Sequence, residues 1–262
     1  MKKIILLPIL MTGILSANAN GFESLFNGED LIGWTAASSQ GPGDWGVFSV
    51  NEKEQAIHAY AGMEDGSQQI SDWLHTDLEY SYYILRLEYK WMDNRFAPFA
   101  ESDRDSGILF HIHGDLKAAL PNCLEMQLGD SPGDKPRGVG KSDKRCHTGD
   151  LFVIGSRLQT STPRDGIFYN PDKSPQIGRH VMTQLGVERP RGEWNEVELR
   201  VYGSEKATFI LNNEVVLETF DFVRLNRKGG TDEPLDEGHI AVQAEGSEVL
   251  FRNIRIQEIP GF

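Results

Sequence analysis

Along most of the chain apolar and polar residues alternate one by one, the period of a strand whose two faces meet different surroundings. In "YYILRLEYKWM", Tyr82 to Met92, one face carries Tyr83, Leu85, Leu87, Tyr89 and Trp91, and the other carries Arg86, Glu88 and Lys90. "WNEVELRVYG" repeats the design, with Val197, Leu199 and Val201 set against Glu196, Glu198 and Arg200. Shorter runs bounded by Gly, Pro, Asn and Asp predict strands near Trp45–Val50, Gln55–His58, Ile108–His113, Leu124–Leu128 and Leu151–Ile154. The C-terminal half adds Ala207–Leu211, Val215–Phe220, His239–Glu245 and Val249–Ile259, and Asn212-Asn213 marks a tight hairpin turn. Helical periodicity is hard to find after the N-terminal segment. Many short strands without intervening helices predict an all-β sandwich or jelly roll.

Three of these strands share a polar face of unusual composition. In "SGILFHIHG", strict alternation places Ile108, Phe110 and Ile112 on one side and Leu109, His111 and His113 on the other. "CLEMQLGD" sets Glu125 and Gln127 against Leu124, Met126 and Leu128, and "GHIAVQAEGS" sets Gln243 and Glu245 against Ile240, Val242 and Ala244. If the apolar sides face a common core, His111, His113, Glu125, Gln127, Gln243 and Glu245 lie together on the outer face of one sheet. Such a set can grip sugar hydroxyls, coordinate a hard metal or move protons near neutral pH. An ordinary solvated sheet face would mix in Lys, Thr and Ser, which this set lacks.

Charge and the N-terminus narrow the function. Lys2 and Lys3, the apolar run Ile4–Leu15 and the small residues ending at Ala19 follow the plan of a secretory signal peptide, too short to span a bilayer comfortably. This predicts cleavage after residue 19, a single domain over residues 20–262, no membrane insertion after cleavage, and a periplasmic or extracellular location. A formal charge of −13, more negative once the two lysines leave, argues against nucleic acid or anionic membrane as partner. In an oxidising compartment Cys123 and Cys146 are expected to pair, tethering the loop between them. Two long loops, Gly129–Gly149 and Thr160–Gly192, are expected to wall a binding site, and Tyr169 in the second is a candidate for stacking on a sugar.

Six motifs occur in an order that carries a family resemblance: "LFNGEDLIGW", "DSGILFHIHG", "CLEMQLGD", "TGDLFVIG", "GEWNEVELRVYG" and "GHIAVQAEGSEVLFRNIRIQEI". From Leu25 to about Ile259 the chain resembles the 3-keto-disaccharide hydrolase domain family. The resemblance implies a concanavalin A-like jelly-roll β-sandwich of two antiparallel sheets whose concave face binds carbohydrate. It also implies cleavage of glycosidic bonds in sugars oxidised at C3, although some members of such a family would only bind sugar. The segment Ser131–His147, ending at Cys146 and His147, departs from the family pattern and points to a different substrate range.

A ketone at C3 acidifies the C2 proton, so a base can remove it and the enolate can expel the group at C1. The chemistry needs a base, an electrophile at the ketone oxygen and a proton donor for the leaving group. Glu125 is the expected base, and His111 or His113 the expected partner of the ketone. One divalent cation, of unassigned identity, held by His113, Glu125 and Glu245 would serve as Lewis acid. Gln127, Gln243, Glu245 and Asp150 are expected to bind sugar hydroxyls, with Asp150 equally readable as a turn residue, and Arg104 to reach the cleft edge. No strand carries the alternating acidic run of jelly-roll glucanases, so one carboxylate per strand is expected to serve this other chemistry. The alternative function is a non-catalytic carbohydrate-binding module, which would be expected to display a row of exposed aromatics.

Overall fold

Long alternating strands dictate the architecture: each has one apolar face, and two sheets stacked on those faces bury them together. The computed structural model describes residues 21–38, 41–42, 46–118, 121–129, 147–161, 180–181, 183, 186–226 and 230–261. Residues 1–20, Trp45, Cys146 and Tyr169 fall outside them, as do most of the two long loops. The described residues form strands and no helix, so no helix among them is long and apolar enough to cross a membrane.

A ten-stranded sheet runs in the order β11 (Ser156–Ser161), β15 (Glu214–Arg224), β14 (Lys206–Leu211), β13 (Asn195–Tyr202), β7 (Tyr82–Arg95), β18 (Ser247–Glu258), β5 (Ala56–Ala59) and β4 (Phe48–Asn51). Two short strands flank it, β1 (Glu23–Ser24) beside β18 and β16 (Glu233–Pro234) beside β15. The eight-stranded sheet runs β12 (His180–Val181), β10 (Leu151–Ile154), β9 (Asn122–Gly129), β8 (Asp105–His113), β17 (His239–Ala244), β6 (Asp72–Thr76), β2 (Trp34–Ser38) and β3 (Gly41–Pro42). All the strand pairings are antiparallel. This is the all-β jelly-roll sandwich that the alternation predicts. Asn212 and Asn213 take the positive φ angles, 49° and 69°, that the hairpin reading requires.

Between the sheets lies the main core. From the ten-stranded sheet it takes Tyr83, Leu85, Leu87, Tyr89, Trp91, Val197, Leu199, Val201, Phe209 and Phe251; from the eight-stranded sheet, Ile108, Phe110, Leu124, Met126, Leu128 and Val242. Burying each such side chain is worth about 1.5–3 kcal/mol, so the alternating faces of β7 and β13 alone fix how the sheets stack. Glu188 ties one end together: its Oε1 accepts hydrogen bonds from Tyr89, from Trp91 Nε1 at 3.1 Å and from Thr148 at 3.0 Å, and Thr148 in turn bonds Gly129 at the end of β9. A smaller apolar cluster of Ala37, Trp73, Leu109, Ile112, Cys123 and Ala241 sits on the far face of the eight-stranded sheet.

That second cluster exposes a departure from strict alternation. Ile112 belongs with Leu109 on the outer face, whereas alternation put it with Phe110 in the core. The cause is a β-bulge: the register of β8 against β9 shifts between Phe110 and His113, and His111 sits at φ 50°. A bulge inserts one residue and reverses every side chain after it. Gly238 makes room for it, since a Cβ there would lie 2.5 Å from His111 C and 2.6 Å from Ile112 O.

Candidate functional site

Register, not proximity in sequence, assembles the outer face of the eight-stranded sheet. Leu109 pairs with Glu125, Gly107 with Gln127, Gln243 with Trp73, and Ala241 with both Leu109 and His75. The Val242–Ile108 pair and an isolated bridge between Asp105 and Glu245 fix the same register on either side, so Gly107 lies beside Gln243. Glu125, Gln127, Gln243 and Glu245 therefore do share one face, joined by Asp105 and Trp73.

Glu125 is buried, and its side chain lies across Gly107: a Cβ at that glycine would overlap the carboxylate Oε1 and come within 2.8 Å of Cγ and Cδ. Glycine at 107 is thus what lets the carboxylate lie along the sheet. Gln127 holds Asp105: its amide Nε2 donates to Asp105 Oδ1, to Ser106 O at 2.8 Å and to Leu128 O at 3.1 Å. Burial, then the neighbouring Glu245 carboxylate, push Asp105 up to about 7, and burial raises Glu245 as well. Two carboxylates this close cannot both ionise freely, so the pair retains a proton near neutral pH.

Those shifts carry a stability consequence. Asp105 has a folded-state value above its unfolded one, so the stability it lends is present below the ordinary carboxylate range and is lost as pH rises through about 7. Asp105→Asn is accordingly expected to melt at a higher temperature than the native protein at pH 8, with the gap closing toward pH 4. A melting curve lower than native at pH 8 would contradict the assigned strain. His75, His111 and His113 act with the opposite sign, because burial lowers each; their contribution is present above about 6.5 and lost as pH falls.

The two histidines of β8 do not join this face, which corrects the reading from alternation. The bulge turns His111 into the inter-sheet core, fully buried, 5.9 Å from the Phe222 ring of the opposite sheet, with its Nε2 3.0 Å from Gly203 O. Burial lowers it to about 4, so it is neutral at physiological pH. His113, opposite Ile112 on the strand, has Nδ1 2.9 Å from His111 O and feels Arg224 of β15. The expected ligand set of His113, Glu125 and Glu245 is therefore not assembled, and among the described residues no group of three His, Cys, Asp or Glu side chains is placed to hold a metal ion.

Two other expected sugar contacts are engaged with the protein. Asp150 is fully buried and accepts from Thr183 N at 2.7 Å, from His147 N at 3.1 Å and from His180 Nε2 at 2.8 Å, the turn role that sequence left open. Arg104 reaches the carbonyls of Met92 at 3.2 Å and Asp93 at 2.7 Å, clamping β8 to β7 of the other sheet. Cys123 is buried in the outer-face apolar cluster, and its expected partner Cys146 lies outside the described residues.

Sequence reasoning overlooked Asp105 and Trp73. Asp105 was legible, two positions before Gly107 and so on its face; Trp73 was not, because all five residues of β6 are buried and show no alternation. At Trp73, Nε1 has no hydrogen-bond partner, and neither has Oε1 of its cross-strand neighbour Gln243.

Fold and face define a concanavalin A-like jelly roll with a cluster of carboxylates and amides on one sheet, the build of a carbohydrate-active domain. The chain belongs to the 3-keto-alpha-glucoside-1,2-lyase-like domain family, whose model matches residues 21–257. No curated protein matches it. Among solved structures, a candidate glycosyl hydrolase from Parabacteroides distasonis ATCC 8503 is similar with a TM-score of 0.53 at 18% identity, over 92% of this chain and 95% of that one. A second from the same organism gives 0.51 at 20% identity, over 91% and 99%. At such identities the likeness speaks for the fold alone.

Proposed function

We propose that the protein is an exported enzyme that cleaves the glycosidic bond of 3-keto glycosides by abstraction of the C2 proton. The observation that carries this reading is the register that sets Glu125 on one sheet face with the bridged acids Asp105 and Glu245, both of which burial raises, in a chain of this family. Export rests on the pattern of residues 1–19.

In the proposed reaction Glu125 takes the C2 proton, and the C–H electron pair moves into the C2–C3 bond as the ketone becomes an enolate. Collapse of the enolate forms the C1–C2 double bond and breaks the bond from C1 to the leaving oxygen, which takes up a proton. Water adding across the double bond would give net hydrolysis. The protonated member of the Asp105–Glu245 pair supplies the hydrogen bond or proton that the ketone and leaving oxygens require. His111 and His113 drop out of the mechanism, because the bulge points them away.

A purely binding face has little use for two carboxylates held partly protonated, which disfavours the carbohydrate-binding module. Ordinary glycoside hydrolysis is the second reading, and the same carboxylate pair favours it, since paired acids are the equipment of conventional glycosidases. A matched pair of substrates separates the three. With 4-nitrophenyl 3-keto-glucoside and 4-nitrophenyl glucoside, nitrophenol release from the keto sugar alone is expected. Release from both at similar rates would mean an ordinary glycosidase, and binding without release from either would mean a module.

A further inference from the structure

We propose that Trp73 and Gln243 form a subsite for one hydroxyl group of a neutral pyranoside, in which the tryptophan is used through its N–H and not through its ring face. The proposal rests on the reading of this sheet face as a sugar site. Trp73 on β6 and Gln243 on β17 are direct cross-strand partners, so their side chains leave the sheet together on the same side. Both are nearly closed to solvent, 2% and 5% exposed, yet Trp73 Nε1 and Gln243 Oε1 each lack a hydrogen-bond partner.

The chemistry of the two orphans selects their ligand. Indole nitrogen only donates and an amide oxygen only accepts, so a group that satisfies both must accept and donate at once. A hydroxyl does this with a single oxygen. A carboxylate could take the indole N–H but has no proton for Gln243, and an ammonium could donate to Gln243 but not accept from Trp73. The surroundings also disfavour an anion, because Glu125 lies across Gly107, the residue beside Gln243, and the Asp105–Glu245 bridge follows one step further along the same strands. On the other flank Leu109 and Ala241 are apolar and closed to solvent, with His75 beside Ala241, while Ala37 lies next to Trp73. A hydroxyl seated between Trp73 and Gln243 would therefore fix the ring one strand away from the Glu125 carboxylate, which lies over Gly107 of β8.

The test uses Trp73→Phe, which removes the N–H, and Gln243→Met, which removes the acceptor at similar volume. Calorimetric binding of methyl 3-keto-glucoside, methyl glucoside and their monodeoxy analogues is compared across native protein, both variants and the double variant. Each single variant is expected to bind the parent sugar about tenfold more weakly. The same single deoxy analogue should be insensitive to both substitutions, and the double variant should lose little more than either alone. Equal weakening toward every analogue, native affinity in both variants, or no sugar binding by the native protein would overturn the subsite. Should Trp73→Phe fail to fold, the deoxy series on native protein and Gln243→Met decides alone. Failure of the keto-sugar chemistry shows separately: the binding pattern would persist with methyl glucoside while native protein released no aglycone from a 3-keto glucoside.

Discussion

Glu125→Gln is expected to keep the fold and to lower kcat/KM on a 3-keto glucoside by about a hundredfold or more. Glutamine has nearly the same shape, so it can lie over Gly107 as the carboxylate does, but it cannot take a proton from carbon. Gly107→Ala asks the same question from the other side, leaving the carboxylate chemically intact while a Cβ at 107 forces it off the sheet. Both variants should melt like the native protein within a few degrees and both should lose turnover. Full activity in Glu125→Gln would remove the proposed base, and activity lost only in Gly107→Ala would place the base elsewhere on the same face.

Gly238→Ala should destabilise the protein by about 2–3 kcal/mol, the scale of forcing an extra methyl into packed structure. The three atoms nearest an added Cβ are all backbone, His111 C at 2.5 Å, Ile112 O at 2.6 Å and His111 Cα at 2.7 Å, so relief requires the bulge itself to shift. Gly238 is also pinned from its other side by paired backbone hydrogen bonds to Tyr80, at 2.9 and 3.2 Å. Urea unfolding measures the loss directly. An unchanged midpoint would mean that the bulge is not held against this glycine, and the inward placement of His111 would fall with it.

Alternation made the sandwich legible because β7 and β13 each bury one face and solvate the other; it gathered Glu125, Gln127, Gln243 and Glu245 because β9 and β17 still alternate apolar with polar residues, although both their faces are buried. It failed at His111 and His113 because counting by twos assumes no inserted residue, and the bulge inserts one. The signal that reveals the bulge, the close approach of Gly238, comes from a segment more than a hundred positions away. Carboxylate pairing was invisible for a related reason: Asp105 and Glu245 come from separate strands, and a search for two acids along one strand passes over them. Arg104 misled because a charge in a loop looks available, while the backbone groups that occupy it leave no trace in the sequence; Asp150 takes the turn role that the sequence left open.

The proposed reaction turns on removal of the proton at C2, and a substrate deuterated at that carbon reads it directly. With a 2-deuterio-3-keto-glucoside, aglycone release is expected to slow by a primary isotope effect and the C2 deuterium to appear in solvent water as the aglycone leaves, whether the product is the eliminated or the rehydrated sugar. Aglycone release at an unchanged rate, with deuterium kept at C2 of the product, would contradict the account.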